Sequence, residues 1–262
     1  MHEERGSKVR VPGVEEHRLR TGDGLDIGAW LLRPTGARPI VLLLHGNGAS
    51  RSSFSSLLPF LARENCGAMA ISMRAHGDST GEVNDFGYGA REDVLAAIGF
   101  LEQEFPGRKI LIVGESLGAS AALFAAKACA GRVQGYLFAA PYDDLETAIW
   151  NRCDSKLITP FSQVAYAGLL LWAPAFLPES TREIRPGDHF VDIPETTRVV
   201  VFASENDRYA RLEDIRVMTN RIRSHAEVVV VRGGDHAHFL SQHETEYRQA
   251  ILDLVLRIEQ VR

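Results

Sequence analysis

The amino-acid sequence predicts an α/β fold built on a mainly parallel sheet. Long apolar runs rich in β-branched residues alternate with segments of helical period, and such uninterrupted runs are typical of strands covered on both faces. At 262 residues the chain can bury one large core, so we expect a single domain over residues 1–262. The runs are PIVLLLH at 39–45, AMAIS at 68–72, KILIVG at 109–114, VQGYLFA at 133–139, RVVVFA at 198–203 and EVVVVR at 227–232.

A hairpin is expected before these runs. The segments EEHRLRT at 15–21 and LDIGAWLLRP at 25–34 flank a Gly-Asp-Gly turn. Two short strands joined by a glycine-rich turn favour antiparallel pairing.

Helices are predicted between the strands and near the end of the chain. The segment LGASAALFAAKACA at 117–130 is small and apolar on nearly every side, as in a helix buried against a sheet. In two other segments, apolar residues recur at steps of three and four, which predicts helices with one core-facing stripe. These stripes are Val94, Ile98, Leu101 and Phe105, and Tyr247, Ile251, Leu254, Ile258 and Val261.

Residues 142–195 interrupt the alternation, because they hold no clear strand but many large apolar side chains. A loop of this length without secondary structure would be unusual, so we expect helices here. Their position late in the sheet order favours a helical cap inserted over the functional site. A pair of core helices is the alternative.

Composition excludes several classes of partner. The net charge of −5, with arginines scattered among acids, indicates neither nucleic acid nor an anionic membrane surface as a partner. The most apolar stretch, residues 161–177, is shorter than the roughly 20 apolar residues of a membrane span, so no membrane span is expected. Cys66, Cys129 and Cys153 form no CxxC pair, which favours free thiols in a reducing compartment. Since the first residues are charged and lack the apolar run of a signal peptide, we expect a cytoplasmic location.

No cofactor is expected. The glycine-containing turns match neither GxGxxG nor GxxxxGK[ST], the patterns that cradle nucleotide phosphates. The histidines at 236, 238 and 243 lack a second cluster at a spacing that would complete a metal site.

The sharpest chemical signal is Gly114-Glu115-Ser116-Leu117-Gly118, which follows an apolar strand and opens a small-residue helix. In this context GxSxG is typical of a nucleophilic serine on a strained turn, whereas a lone copy could be a serine that caps a helix. The same turn aims the N–H of Leu117 at the oxygen that becomes negative during acyl transfer.

Serine needs a base to remove its proton and a carboxylate to orient that base. Two downstream strands end in suitable residues, Ser204-Glu205-Asn206-Asp207 and Gly233-Gly234-Asp235-His236. Parallel sheets place their ligands at such carboxyl ends. His238 and His243 are alternatives for the base, and Asp143, Asp144 and Glu205 are alternatives for the acid.

From residue 21 to the end, the chain resembles the α/β-hydrolases, in particular their bacterial esterase and serine aminopeptidase-like branches. The resemblance rests on the GESLG turn, the loop LLLHGNGAS at 42–50, the loop RAHGDSTG at 74–81 and the opening hairpin. It implies an eight-stranded, mostly parallel sheet with an antiparallel second strand. It also implies a triad of Ser116, Asp207 and His236, since family members commonly place the acid after this strand and the histidine after a glycine-rich turn.

The same resemblance implies the rest of the site. The backbone N–H of Asn47 would join that of Leu117 in the oxyanion hole, with Gly48 as the alternative. His45, His76 and Asp78 would have structural roles.

The expected function is hydrolysis of a carboxylic ester through an acyl-enzyme on Ser116. The apolar 145–178 segment predicts a small-molecule substrate with an apolar acyl or alcohol part. A thioesterase or aminopeptidase with the same triad is the nearest alternative, and a catalytically silent binding protein is the alternative of another class.

Overall fold

The computed structural model describes residues 11–234, 236 and 239–260. Within this part of the chain, eight strands form one sheet in the order β1-β2-β4-β3-β5-β6-β7-β8. The strands are β1 (Val14–Arg20), β2 (Asp26–Leu32), β3 (Ile40–Leu44), β4 (Gly67–Ser72), β5 (Ile110–Glu115), β6 (Gly135–Ala139), β7 (Arg198–Ser204) and β8 (Ala226–Val231).

Strand directions follow the sequence prediction. Strand β2 runs antiparallel to both neighbours, β1 and β4, and every other pair is parallel. The predicted eight-stranded, mostly parallel sheet is therefore confirmed. Because the carboxyl ends of β3, β5, β7 and β8 lie at one edge, the loops that follow these strands are close together.

The apolar runs explain why the sheet is buried in the molecule. Every residue of β3, β4, β5 and β6 is buried. Helices cover the sheet, since strands with two apolar faces need a layer on each side. The α-helices are α1 (Leu57–Arg63), α2 (Arg91–Glu104), α3 (Leu117–Ala125), α4 (Leu145–Lys156), α5 (Phe161–Trp172), α6 (Leu212–Asn220), α7 (Phe239–Gln242) and α8 (Glu244–Gln260).

The predicted helical stripes face the core. In α3 all nine residues are buried, and in α8 the buried residues include Tyr247, Ile251 and Leu254. Phe105 differs from the prediction, because α2 ends before it and Phe105 is the C-cap residue. Val261 lies outside the described residues.

The segment 142–195 is largely helical, as the sequence predicts. It contains α4, α5 and two 3-10 segments, Ala173–Ala175 and Pro186–Asp192. The rings of Trp150 and Tyr166 meet edge to face at 5.5 Å and join α4 to α5.

Helix α5 is not a core helix, since Ser162 is its one buried residue. Helix α5 and its flanks instead carry large apolar side chains that are each more than half accessible to solvent. These are Ile158, Phe161, Val164, Leu169, Leu171, Trp172 and Phe176. Of the helices in the described part of the chain, none combines the length and the hydropathy that crossing a bilayer requires.

Candidate active site

Ser116 occupies the turn between β5 and α3, with φ 47° and ψ −103°. A residue with a Cβ in this region carries strain of about 1–3 kcal/mol, which the surrounding structure must hold. The backbone N–H of Ser116 donates to the carbonyl of Ala139 at 2.8 Å and helps to fix the turn. The serine therefore stands in the strained strand-to-helix geometry that its sequence context predicts.

Close packing explains the glycines on either side of Ser116. A Cβ on Gly118 would lie 2.3 Å from the carbonyl oxygen of Leu44, and one on Gly114 would lie 2.7 Å from the carbonyl carbon of Gly118. Both contacts are with backbone, which cannot move aside cheaply. The two glycines thus let α3 begin directly against β3 and β5.

Three side chains from separate loops form a hydrogen-bonded line. Ser116 Oγ lies 3.0 Å from His236 Nε2, and His236 Nδ1 lies 2.8 Å from Asp207 Oδ2. Since a carboxylate only accepts, Nδ1 carries the hydrogen and Nε2 of the neutral ring is left as an acceptor. This tautomer can take a proton from the serine hydroxyl.

Asp207 is held in a fixed orientation at the end of β7. Its side chain is 1% exposed. Its Oδ1 accepts the backbone N–H groups of Tyr209 at 2.8 Å and Ala210 at 3.0 Å, which leaves Oδ2 for the imidazole. The ring of Tyr209 also packs edge to face against the imidazole of His236, with 5.3 Å between centroids. Sequence reasoning missed this contact.

The alternative acids have other partners. Asp143 forms an ion pair with Arg221, and both of its oxygens accept from the guanidinium. Asp144 is the N-cap of α4 and accepts from the backbone N–H of Thr147 at 2.8 Å. Glu205 is exposed to solvent. The structure brings Asp207, and none of these three, to His236.

His243, an alternative base, braces the loop that precedes His236. Its Nε2 donates to the carbonyl of Gly233 at 3.0 Å. The hydroxyl of Ser204 donates to the carbonyls of Gly233 and Gly234 on the same loop. His238, the other alternative, lies outside the described residues.

His45 is structural. It is fully buried, its Nδ1 donates to the carbonyl of Gly46 at 2.8 Å, and its Nε2 accepts the N–H of Met73 at 3.0 Å. Burial lowers the pKa of His45 to about 3, so the ring is neutral. One donor and one acceptor on a neutral imidazole match these two bonds.

The candidate oxyanion donors are the backbone N–H groups of Leu117 and Asn47. The first helical bond of α3 runs from the N–H of Ser120 to the carbonyl of Ser116, so the N–H of Leu117 has no acceptor within the helix. Leu117 and Asn47 both line the same cavity as Ser116, and Gly48 does not. The Asn47 side chain accepts from Asn84 Nδ2 at 2.6 Å, which ties its loop to the neighbouring one.

The serine opens into a cavity of about 1160 Å³ with a mainly apolar wall. Much of this wall comes from α4, from α5 and from the residues that follow α5. Besides Leu117, the large apolar residues that line it are Val83, Phe86, Leu145, Ile149, Leu169, Trp172, Phe176, Leu177 and Leu240. Throughout the described ranges, no three His, Cys, Asp or Glu side chains are grouped so as to hold a metal ion.

Glu115, next to Ser116, is a buried carboxyl group. Among the described residues, neither its Oε1 nor the buried hydroxyl of Tyr247 has a hydrogen-bond partner. Desolvation raises the pKa of Glu115 to about 7, an effect that the nearby Tyr247 hydroxyl offsets only in part. The native state therefore favours the protonated, neutral carboxyl.

Replacing Glu115 with glutamine should make stability less sensitive to pH. Because the pKa in the native state is raised to about 7 from 4.5, the native state binds more protons than the unfolded state. The stability associated with this group is present below pH 4.5 and is lost as pH rises through 7. Between pH 5 and 8, wild type should lose about 2 kcal/mol of unfolding free energy relative to Glu115→Gln. Urea unfolding of both proteins across this range measures the difference, and a constant difference would contradict the prediction.

Comparisons with known proteins agree with this fold. A model of the alpha/beta hydrolase family matches residues 41–250. Human monoglyceride lipase is 26% identical over 135 residues, a match that covers 50% of this chain and 44% of the lipase, less than half of its length. The structure of esterase Pf2001 from Pyrococcus furiosus superposes with a TM-score of 0.73 at 18% identity, over 93% of this chain and 92% of that one. Esterase EaEST from Exiguobacterium antarcticum superposes with a TM-score of 0.67 at 16% identity, over 92% and 100% of the two chains.

Proposed function

This chain belongs to the alpha/beta hydrolase family, and from that premise we propose that it is a serine hydrolase of carboxylic esters. The observation that carries the proposal is the line of hydrogen bonds from Ser116 through His236 to Asp207, at 3.0 and 2.8 Å, beside an apolar cavity. A serine, a base in the correct tautomer and an orienting acid are the parts that acyl transfer needs.

In the first half of the reaction, Ser116 Oγ attacks the ester carbonyl while its proton passes to His236 Nε2. The carbonyl oxygen becomes negative, and the N–H groups of Asn47 and Leu117 donate to it. His236 then gives its proton to the leaving alcohol as the carbon–oxygen bond breaks, and Asp207 stabilises the transient imidazolium. Loss of one oxyanion donor typically lowers the rate on the order of 100-fold.

In the second half, water replaces the alcohol. His236 takes a proton from the water, which attacks the acyl carbon, and the same proton returns to Ser116 Oγ as the acid leaves. Every bond that forms or breaks involves the substrate, water and these side chains, so the reaction needs no cofactor.

The cavity wall supports a substrate with an apolar acyl or alcohol part. Its apolar side chains cluster on α4 and α5, and such a wall favours hydrocarbon over polar substituents. The names of the similar proteins, a monoglyceride lipase and two esterases, point to the same ester chemistry.

Residues 142–195 act as a cap in this proposal. Leu145, Ile149 and Cys153 of α4 and Leu169 of α5 line the cavity that contains Ser116. Phe161, Val164 and Leu171 of α5 do not line it and are exposed to solvent. The cap and the sheet would belong to one domain over residues 1–262, in which the buried cluster of Phe124, Leu145 and Ile184 joins α3 to this segment.

A reducing compartment such as the cytoplasm suits the three cysteines. Cys66, Cys129 and Cys153 are all buried and unpaired. Free buried thiols are typical of proteins that do not meet an oxidising environment.

A substrate panel tests the proposed function. Neutral p-nitrophenyl esters of increasing acyl length, acyl thioesters and aminoacyl anilides should be compared by kcat/KM, with Ser116→Ala in parallel. We expect the esters to be preferred, with kcat/KM rising with chain length as apolar surface is buried, at roughly 25 cal/mol per Å². The cavity wall should then set an upper limit to this rise.

Three outcomes would contradict the proposal. A clear preference for thioesters or for anilides would reassign the leaving group while keeping the triad. Failure of folded protein to react with a fluorophosphonate probe at Ser116 would favour a silent binding protein. Ester hydrolysis that survives in Ser116→Ala would exclude the proposed nucleophile.

A further inference from the structure

Arg152 gives the cavity a charge that an apolar ester does not need. Among the described residues that line the cavity, it is the one arginine or lysine. The two lining carboxyl groups differ from it in their surroundings. Glu244 pairs with Arg248, and Glu115 is buried, with a pKa raised to about 7.

No carboxylate in the described part of the chain forms an ion pair with Arg152, whose guanidinium carbon instead lies 4.4 Å from the centre of the Tyr209 ring. Lys156, one turn further along α4, places its ammonium 5.8 Å from the same ring and likewise has no carboxylate partner there. The two cations lower the pKa of Tyr209, Lys156 more than Arg152. Two positive charges thus converge on one phenol at the cavity wall.

Neighbouring acids do not neutralise this pair. Asp154, on the same helix, forms an ion pair with Arg211 at 2.7 Å. Asp214 accepts from the buried side-chain amide of Asn151 at 3.1 Å. Neither acid therefore pairs with Arg152 or Lys156 where α4 meets the loop after β7.

The turn of α4 that carries the two cations is held in place, although the side chains of Arg152 and Lys156 are exposed to solvent. Asn151 is 3% exposed, and its amide also donates to the backbone carbonyl of Tyr209 at 3.0 Å. This contact fixes the turn of α4 that carries Arg152 against the loop that carries Asp207. Exposed ion pairs generally contribute little binding free energy. An arginine already held by stacking, however, loses less side-chain entropy when it binds a carboxylate.

The position of Arg152 relative to His236 indicates which part of the substrate its positive charge would face. The Tyr209 ring contacts both Arg152 and His236. Its centre lies 4.4 Å from the guanidinium carbon of Arg152 and 5.3 Å from the centre of the His236 imidazole. Since the imidazole must protonate the leaving oxygen, the alcohol part of the ester lies on this side.

We propose that Arg152, supported by Lys156 and Tyr209, binds an anionic group on the alcohol part of the substrate. The inference rests on the proposed esterase function and narrows its substrate class. The preferred ester would combine an apolar acyl chain with a carboxylate-bearing alcohol, and the planar guanidinium would bind that carboxylate through two parallel hydrogen bonds.

The test uses butyrate esters of 3-hydroxybenzoate and of 3-hydroxybenzamide, which differ chiefly in the charge of the leaving alcohol. We expect wild type to favour the carboxylate ester in kcat/KM, mainly through KM. Arg152→Gln should lower the carboxylate-to-amide ratio about tenfold, while Arg152→Lys should retain part of it. Comparing variants cancels the intrinsic difference in reactivity between the two esters.

Two controls separate binding from general effects. Arg216→Gln removes the same charge from an exposed position of α6 that does not line the cavity, and it should leave the ratio unchanged. Raising NaCl from 20 to 500 mM should lower the ratio in wild type and less in Arg152→Gln, since salt screens an exposed charge.

The outcomes of the two proposals are distinguishable. If wild type hydrolyses the amide ester but the ratio is the same in Arg152→Gln, the anion site is overturned and the esterase function stands. If wild type hydrolyses neither ester and does not react with a fluorophosphonate, the esterase function itself fails.

Discussion

Replacing Asp207 with asparagine should lower kcat about 10⁴-fold while leaving the fold intact. The substitution changes neither the size nor the shape of the side chain. The loss would follow from the way in which hydrogen bonds around residue 207 select the tautomer of His236.

Two backbone N–H groups decide which way the asparagine points. Oδ1 of Asp207 accepts from Tyr209 and Ala210 at 2.8 and 3.0 Å, so this position requires an acceptor. The amide oxygen of asparagine would take it, and the NH₂ group would face His236 Nδ1. Because that group only donates, Nδ1 would become the acceptor and Nε2 would carry the hydrogen. An imidazole in this tautomer cannot accept the proton of Ser116.

Asp143→Asn is the matched control. Asp143 follows β6, the position of the alternative acid, and its carboxylate pairs with Arg221 rather than with a histidine. The same chemical change should lower kcat only a few-fold, through local loss of an ion pair. Steady-state kinetics on a neutral ester compare the variants, with circular dichroism to verify folding. A large loss in Asp143→Asn with little loss in Asp207→Asn would reverse the assignment of the acid.

The sheet was predictable because its information is local. Six of the eight strands coincide with a predicted apolar run and the other two with the arms of the predicted hairpin, apart from shifts of one or two residues at the ends. The turn at Ser116 was predictable for a similar reason, since its two glycines are required by backbone contacts that any strand-to-helix turn of this kind must make.

Contacts between distant loops were not predictable in the same way. The edge-to-face contact of Tyr209 with His236 and the stacking of Arg152 on Tyr209 join residues from three separate segments. Neither has a periodic pattern or a spacing that marks it. From the sequence, Asp207 could be preferred to Asp143 as the acid only through the family resemblance. The structure distinguishes the two carboxylates by their hydrogen-bond partners.

The burial of particular residues was also not predictable from the sequence. Glu115 has an ionisable side chain, yet it is only 7% exposed because β5 is buried along its whole length. Helix α5 shows the opposite case. Its apolar residues resemble a core stripe, but most of them face solvent because the helix lies outside the sheet layers.

Replacing Ser116 with alanine should remove turnover on the order of 10⁶-fold and abolish reaction with a fluorophosphonate. In the proposed mechanism the hydroxyl forms the acyl-enzyme, and no other hydroxyl is hydrogen-bonded to His236 among the described residues. Mass spectrometry of wild type after reaction should place the adduct on Ser116. An adduct elsewhere, or one that forms equally in Ser116→Ala, would contradict the assignment.

Ser116→Gly should be equally inactive but more stable than Ser116→Ala by about 1 kcal/mol. Both variants lack the hydroxyl, but alanine keeps the Cβ that is strained at φ 47° and glycine does not. Relief of about 1–3 kcal/mol of strain should exceed the entropy of about 0.5–1 kcal/mol that glycine loses on folding. Ala119→Gly, within α3, is the control and should destabilise the protein, since its backbone is ordinary helix. If urea unfolding instead finds the glycine at 116 less stable than the alanine, the turn is not strained, and the serine is held there without the stored energy that its backbone angles imply.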